Sequence, residues 1–240
     1  MQKRQKFNFM GKLKVSLVVP IYNSETTLKS QLDQVIKILD ATSLKYEIIL
    51  CDDKSSDQTA RILRKYIRGK KFIKLIIHDE NQGIANTLWE LYQKATLAYI
   101  ALFSLDGDWN PEDIEKLITQ AYLTKGDIII GTRSKKDYTL YRKIVSFFYN
   151  FLPILFFGVK TFDAASIKIF KRSVFMSLPI TSRGIFFEAE MIIRATKLGY
   201  RTLTYPVSYS KRVRSSGTAA NLSNVIHSIL DLIRLRLKII

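Results

Sequence analysis

Two aspartates one residue apart, Asp106 and Asp108, stand where an apolar run, Tyr99 to Leu105, stops. Hard oxygen donors at that spacing suit Mg²⁺ or Mn²⁺, ions that bridge a protein to phosphate oxygens. Two solvated turn residues are the bland alternative, and the spacing alone leaves both open. Asn110 and Pro111 then read as the N-cap and first residue of a helix, with Glu112 and Asp113 in its first turn. Two further clusters have the same form. Pro20-Ile-Tyr-Asn23 with Glu25 closes one apolar run, and Asp52-Asp-Lys-Ser-Ser-Asp57 closes another.

These clusters need strands to carry them. Lys14 to Asn23, Tyr46 to Cys51, Phe72 to Ile77, Tyr99 to Leu105 and Asp127 to Gly131 are short runs rich in Ile, Leu and Val. Between them lie helical stripes such as Leu28, Leu32, Val35 and Leu39, or Ile114, Leu117, Ile118 and Ala121. Ser55 and Gln58 have capping-box spacing ahead of a second helix. Apolar strands alternating with amphipathic helices predict an α/β fold with a mostly parallel, Rossmann-like sheet and helices on both faces. In such a sheet the strand ends share one edge, so the three clusters converge on one crevice.

Past residue 133 the pattern changes. Arg142 opens an apolar segment, residues 142–160, with Phe147, Phe148, Phe151, Phe156 and Phe157. Its core of about fifteen residues is short of the roughly 20 that span a bilayer. It reads either as a buried helix or as an aromatic segment in the membrane interface, and the second is expected. A helix from Phe187 to Leu198 stopped by Gly199, and a strand from Tyr200 to Tyr205 stopped by Pro206, should follow. Residues 219–240 form a basic amphipathic helix with Val225, Ile226, Ile229, Leu230, Ile233 and Leu237 in one stripe. Packing and membrane contact are both open to it. The expected organisation is a basic arm at 1–13, one domain at 14–218, and this terminal helix.

A formal charge of +17 on 240 residues points to a negatively charged partner: nucleic acid, an anionic membrane or phosphorylated substrates. No nucleic-acid motif is present, so that class ranks low. A hydrophobic fraction of 47% excludes a disordered chain. Cys51, the only cysteine, rules out an intrachain disulfide and suits the core, while His78 and His227 match no zinc spacing and read as structural. The first residues lack the apolar run of a signal peptide, and a cytoplasmic location is expected.

As a set, Pro20-x-Tyr22-Asn23, Asp52-Asp-x-Ser-x-Asp57-x-Thr59, Asn81-x-Gly83 and Asp106-x-Asp108 resemble the family 2 glycosyltransferases of GT-A fold, over about residues 14–133. The resemblance implies that Pro20, Tyr22 and Glu25 border a nucleotide, that Asp52 accepts hydrogen bonds from the base, and that Asn81, Gln82 and Gly83 wrap it. Asp106 and Asp108, with Asn110 as a possible further ligand, would hold the donor diphosphate through Mg²⁺ or Mn²⁺. Asp53 and Asp57 would hold the loop and cap the next helix.

The second half is similar to dolichyl- and polyprenyl-phosphate sugar synthases, through Gly131-Thr-Arg133, Arg142, Asp163, Glu190, Gly199-Tyr-Arg201 and Arg214-Ser-Ser-Gly217. That implies contacts from Arg133, Arg142 and Arg214 to the acceptor and donor phosphates. The family's Ser-Gly-Phe is replaced by Ser166-Ile-Lys168, and Ala219-Ala220 stand where Ser-Lys is usual. The implied activity is inverting, metal-dependent transfer of a hexose from a GDP-mannose or UDP-glucose type donor to a polyprenyl phosphate. Peripheral attachment to the cytoplasmic membrane face goes with it. A phosphate acceptor is already a nucleophile, whereas the alternative, a hydroxyl of a polysaccharide or lipid glycan, needs a base. Glu190 is the candidate for that base, or else a helix-face partner of Arg194 at i+4.

Overall fold

The computed structural model describes residues 13–106, 109–133, 140–208 and 222–239. The strands are β1 (Lys14–Ile21), β2 (Lys45–Asp52), β3 (Ile73–Ile77), β4 (Tyr99–Leu102), β5 (Ile128–Arg133), β6 (Lys168–Lys171) and β7 (Thr202–Val207). Among the described residues the helices are α1 (Leu28–Ala41), α2 (Thr59–Tyr66), α3 (Gly83–Lys94), α4 (Glu112–Thr124), α5 (Leu140–Phe157), α6 (Arg172–Ser177), α7 (Phe187–Lys197) and α8 (Leu222–Ile239).

The strands form one seven-stranded sheet in the order β3-β2-β1-β4-β6-β5-β7. Only β6 runs antiparallel, to β4 and to β5. The chain lays β2 and β3 to one side of β1 and then returns to place β4 on the other. The order therefore reverses between β1 and β4, the switch point at whose carboxyl strand ends open α/β sheets place their ligand crevice. Register sharpens the edge: Ile21 pairs with Asp52, and Asp52 with Ile77.

Alternation of side chains fills both faces. Val15, Leu17, Val19, Ile48 and Leu50 pack with Leu28, Leu32, Leu63, Ile114 and Leu117 on one face. Val18, Ile49 and Cys51 pack with Leu88, Leu91, Tyr92 and Met191 on the other. Each such side chain, once fully buried, stabilises the fold by about 1.5–3 kcal/mol relative to exposure. Gly131 lets β5 pass between its neighbours, because a Cβ there would lie 2.9 Å from the Ile167 carbonyl oxygen. Two residues further on, β5 delivers Arg133.

Three expectations need correction. Pro206 does not stop β7, which continues to Val207; β7 is an edge strand, where a missing N–H costs no ladder bond. Ser55 and Gln58 form no capping box, because α2 begins at Thr59 and Ser55 lies too far ahead of it. Lys168, expected beside the acceptor, is fully buried in β6 and paired with Glu188 of α7, which also accepts a 2.7 Å bond from the Tyr92 hydroxyl.

Helix α5 ends at Gly158, whose φ is +67° and whose N–H donates to the Ile154 carbonyl at 2.8 Å. Beneath it, Phe157 and Val159 cluster with Phe186, Ala189 and Ile193 of the domain and with Leu232 and Leu235 of α8. The terminal helix is thus a packing element on one face. The basic arm, apart from Leu13, lies outside the described residues.

Candidate active site

The loops after β1 and β2 are laced together by side chains. Asn23, in the left-handed region that asparagine tolerates (φ +48°), accepts the Ser56 N–H at Oδ1 (2.8 Å) and donates its own N–H to Ser55 Oγ (2.9 Å). Glu25 N–H donates to Asp57 Oδ2 at 3.2 Å, and Glu25 Oε2 accepts the Gln58 N–H at 2.9 Å. The Glu25 carboxylate thus stabilises the positive end of α2 from a neighbouring loop. Tyr22, just past the end of β1, is 54% exposed, and Pro20 is half-buried.

Asp52 closes β2 and is fully buried. Its Oδ1 accepts bonds from the Ser55 N–H (3.2 Å) and hydroxyl, whereas its buried Oδ2 has no partner. Leaving such an oxygen unpaired costs about 1–3 kcal/mol. An incoming N–H at the crevice would recover that cost.

Asp53 builds the next loop. Its Oδ1 accepts the Gln82 N–H (2.8 Å) and its Oδ2 the Gly83 N–H (2.9 Å), while its carbonyl accepts the Asn81 amide (3.0 Å). Asn81, Gln82 and Gly83 are thereby fastened over the end of β2, with Gly83 at φ +78° opening α3. A nearly buried imidazole backs this carboxylate: His78 Nδ1 lies 2.8 Å from Asp53 Oδ1. Histidine was read from sequence as structural, and no local motif signals this coupling, which exists only because β2 and β3 pair in register.

Asp106 is exposed at the end of the β4 run, held by the Leu105 carbonyl, which accepts the Thr27 hydroxyl at 2.7 Å. Asp108 lies outside the described residues. Asn110, expected as the N-cap and as a possible ligand, accepts the Glu112 N–H at Oδ1 (3.0 Å) one residue ahead of Pro111, the N-cap of α4. Among the described residues no group of three or more His, Cys, Asp or Glu side chains could hold a metal. A preassembled cage is not what Mg²⁺ needs, since one or two carboxylates plus substrate phosphates suffice. Asp106 at the switch point fits that arrangement. Asp113, not singled out from sequence, is fully buried and accepts the Ser208 N–H at 2.6 Å, so α4 holds the exit of β7.

Arg133 reaches the same edge from β5. Its Nε donates to Asp163 Oδ2 at 2.5 Å and its Nη2 to Asp163 Oδ1, and the guanidinium sits 5.6 Å from the Trp109 ring centroid. The fork expected to hold phosphate is oriented here by a carboxylate. The side chain of Arg142 and all of Arg214 lie outside the described residues.

At Glu190 the geometry favours the pairing with Arg194 over the role of base. It is fully buried and accepts the N–H groups of Thr181 (3.0 Å) and Ser182 (2.8 Å) and Nε of Arg194 (2.6 Å). Burial pushes its carboxyl upward, but the bonds from Ser182, Arg194 and Thr181 outweigh it and hold it below the usual range. A carboxylate so enclosed and so acidic is a bracket for the 181–186 turn and a poor base.

The sheet order, the switch-point crevice and carboxylates on three strand ends are those of the GT-A class. The fold is shared with glucosyl-3-phosphoglycerate synthase from Mycobacterium tuberculosis in complex with Mn²⁺, uridine diphosphate and phosphoglyceric acid (TM-score 0.73, 15% identity, 98% of this chain and 82% of that one). It is shared too with mannosyl-3-phosphoglycerate synthase from Rubrobacter xylanophilus (TM-score 0.71, 15% identity, 99% and 76%). The model of glycosyl transferase family 2 matches residues 16–178, and the chain belongs to that family. Among curated proteins it is similar to dodecaprenyl-phosphate galacturonate synthase of Rhizobium johnstonii (27% identity, 92% of this chain) and to undecaprenyl-phosphate 4-deoxy-4-formamido-L-arabinose transferase of Edwardsiella ictaluri (26%, 91%). The chain spans 66% of the length of each.

Proposed function

We propose that this chain is an inverting glycosyltransferase that moves a hexose from a nucleoside diphosphate sugar to a polyprenyl phosphate at the cytoplasmic face of a membrane. The observation that carries the donor reading is the unpaired, buried Oδ2 of Asp52 at the carboxyl end of β2, an acceptor that a base N–H would satisfy. Pro20, Tyr22 and Glu25 border the base, Asn81 to Gly83 enclose the nucleotide, and Asp106 and Asp108 hold the diphosphate with a divalent cation. That cation, when bound, supplies Lewis-acid stabilisation to the departing diphosphate.

The acceptor side is supported by the names of the two relatives and by the enclosure of Glu190. A phosphate oxygen attacks the anomeric carbon as the bond to the nucleoside diphosphate breaks on the opposite face. The leaving group takes the bonding pair, and no proton need be removed from the acceptor. Arg133, Arg142 and Arg214 neutralise the acceptor phosphate. Transfer to a glycan hydroxyl would need a base, and Glu190 is committed elsewhere.

Membrane docking is supported by the paired outer faces of α5 and α8. Phe147 and Phe151 stack at 5.4 Å and are exposed, as are Leu155 on the same helix and Ile226, Ile233 and Leu237 on α8. The Tyr149 hydroxyl joins the helices through Ser228 Oγ at 2.6 Å. Arg234 and Arg236 are exposed on α8 beside this apolar surface, a combination that suits anionic lipid. Among the described residues no helix is long and apolar enough to cross a membrane.

Incubation with undecaprenyl phosphate and a panel of labelled nucleotide sugars should move one label into the lipid phase. Label appearing only on a glycan hydroxyl, or in no product, would refute the lipid reading. Phe147→Ser with Phe151→Ser should weaken sedimentation with anionic vesicles by about tenfold or more, each lost ring removing about 1.5–3 kcal/mol of burial. Unchanged sedimentation would remove α5 from the docking face.

A further inference from the structure

His78 sits behind the loop that the donor reading assigns to the nucleotide, and its two ring nitrogens meet different partners. Nδ1 is 2.8 Å from Asp53 Oδ1; Nε2 is 3.1 Å from Glu90 Oε2 and 3.3 Å from Cys51 Sγ. Its backbone N–H is tied to the Asp52 carbonyl at 3.0 Å. The titratable groups facing the ring are thus Asp53 and the Cys51 thiol from the end of β2, and Glu90 from α3.

Two carboxylates can both be satisfied only if both ring nitrogens carry protons. In that state the imidazolium clamps Asp53, which holds the Gln82 and Gly83 N–H groups, to Glu90, two turns along the helix that Gly83 opens. On loss of a proton to solvent, Nδ1–H can stay on Asp53 while bare Nε2 faces a carboxylate lone pair. The Cys51 proton is then its available partner, because burial, Glu90 and Asp53 push that thiol up to about 12 and keep it protonated. Glu90, 31% exposed at its side chain, is released towards water.

We propose that His78 is a proton-dependent positioning residue for the Asn81–Gly83 loop, drawing β2 and α3 together when doubly protonated and so strengthening the hold on a nucleoside diphosphate. The donor role of that loop rests on the function proposed above; the coupling itself does not.

Burial alone would lower the His78 pKa, but the bonds to Asp53 and Glu90 outweigh it and raise it above its usual value near 6.5. With the folded value raised, the clamp is complete below the usual value and is lost as pH rises through the raised one.

The test is an NMR titration of the full chain from about pH 6 to pH 9, a window that opens below the usual value. The Gln82 and Gly83 amide resonances should move with the midpoint of the His78 ring, and Glu90→Gln should shift that midpoint to lower pH. In His78→Asn, whose amide can donate to Asp53 without titrating, those amides should stay constant across the window. Amides that ignore the ring's midpoint, or that titrate equally in the asparagine variant, would overturn the coupling. Calorimetry with UDP or GDP and Mg²⁺ should show affinity falling about fivefold across the window in the wild type, the low end of site-to-site couplings. It should stay flat in His78→Asn. If the amides follow His78 and neither nucleotide binds at any pH, the donor reading of the loop fails and the coupling stands.

Discussion

Asp108→Asn should lower Mn²⁺-dependent sugar transfer by about a thousandfold, equivalent to ~4 kcal/mol of lost transition-state stabilisation. Asp106→Asn should behave similarly. The effect belongs to the leaving group: the nucleoside diphosphate gains charge as the glycosidic bond breaks, and a cation held by one carboxylate fewer stabilises less of it. Asp106 is exposed at the end of the β4 run, so its asparagine variant should keep its unfolding temperature. Steady-state turnover across Mn²⁺ concentrations, beside thermal unfolding, makes the check. Undiminished activity in both variants would remove the cation from this pair.

The second large effect lies away from the crevice. Lys168→Met should destabilise the fold by about 3–5 kcal/mol, because it leaves the Glu188 carboxylate buried with the Tyr92 hydroxyl as its remaining donor. For a domain of this size that is a fall of about 10 °C in Tm. Adding Glu188→Leu should restore much of it, since two apolar side chains bury without an unpaired charge. A single variant that melts with the wild type would show that water reaches Glu188.

Glu188 and Lys168 also show where sequence reading stopped. Lys168 registered as a departure from Ser-Gly-Phe and was placed with the acceptor. Only the pairing of β6 between β4 and β5 shows that position 168 faces the packed layer of α3 and α7. Glu190 stood open between base and helix-face partner of Arg194. The i+4 spacing was visible, but the two backbone donors of the 181–182 turn arrive from outside the helix. Asn110 was read as a cap and also as a ligand; its amide oxygen takes the Glu112 N–H, while the N-cap position falls on Pro111.

The parallel α/β character was legible because buried strands and amphipathic helices have different periods, and each period is written locally. The three acidic strand ends were legible for the same reason: they interrupt apolar runs. The sequence alone therefore determined that carboxylates gather on one edge of a sheet, with Asp106 and Asp108 among them. The resemblance already implied that Asp53 and Asp57 brace a loop and a helix, but the part played by Asp113 and the unpaired oxygen of Asp52 were not legible. Asp53 holds the 81–83 loop, Asp57 and Glu25 hold α2, and Asp113 holds the exit of β7, while Asp52 keeps one buried oxygen unpaired. Apart from the local bond of Asp57 to Thr59, that division is made by contacts between residues some 30 to 95 positions apart. Whether a carboxylate is a brace or a ligand depends on which donors the folded chain brings to it, and only the tertiary structure decides that.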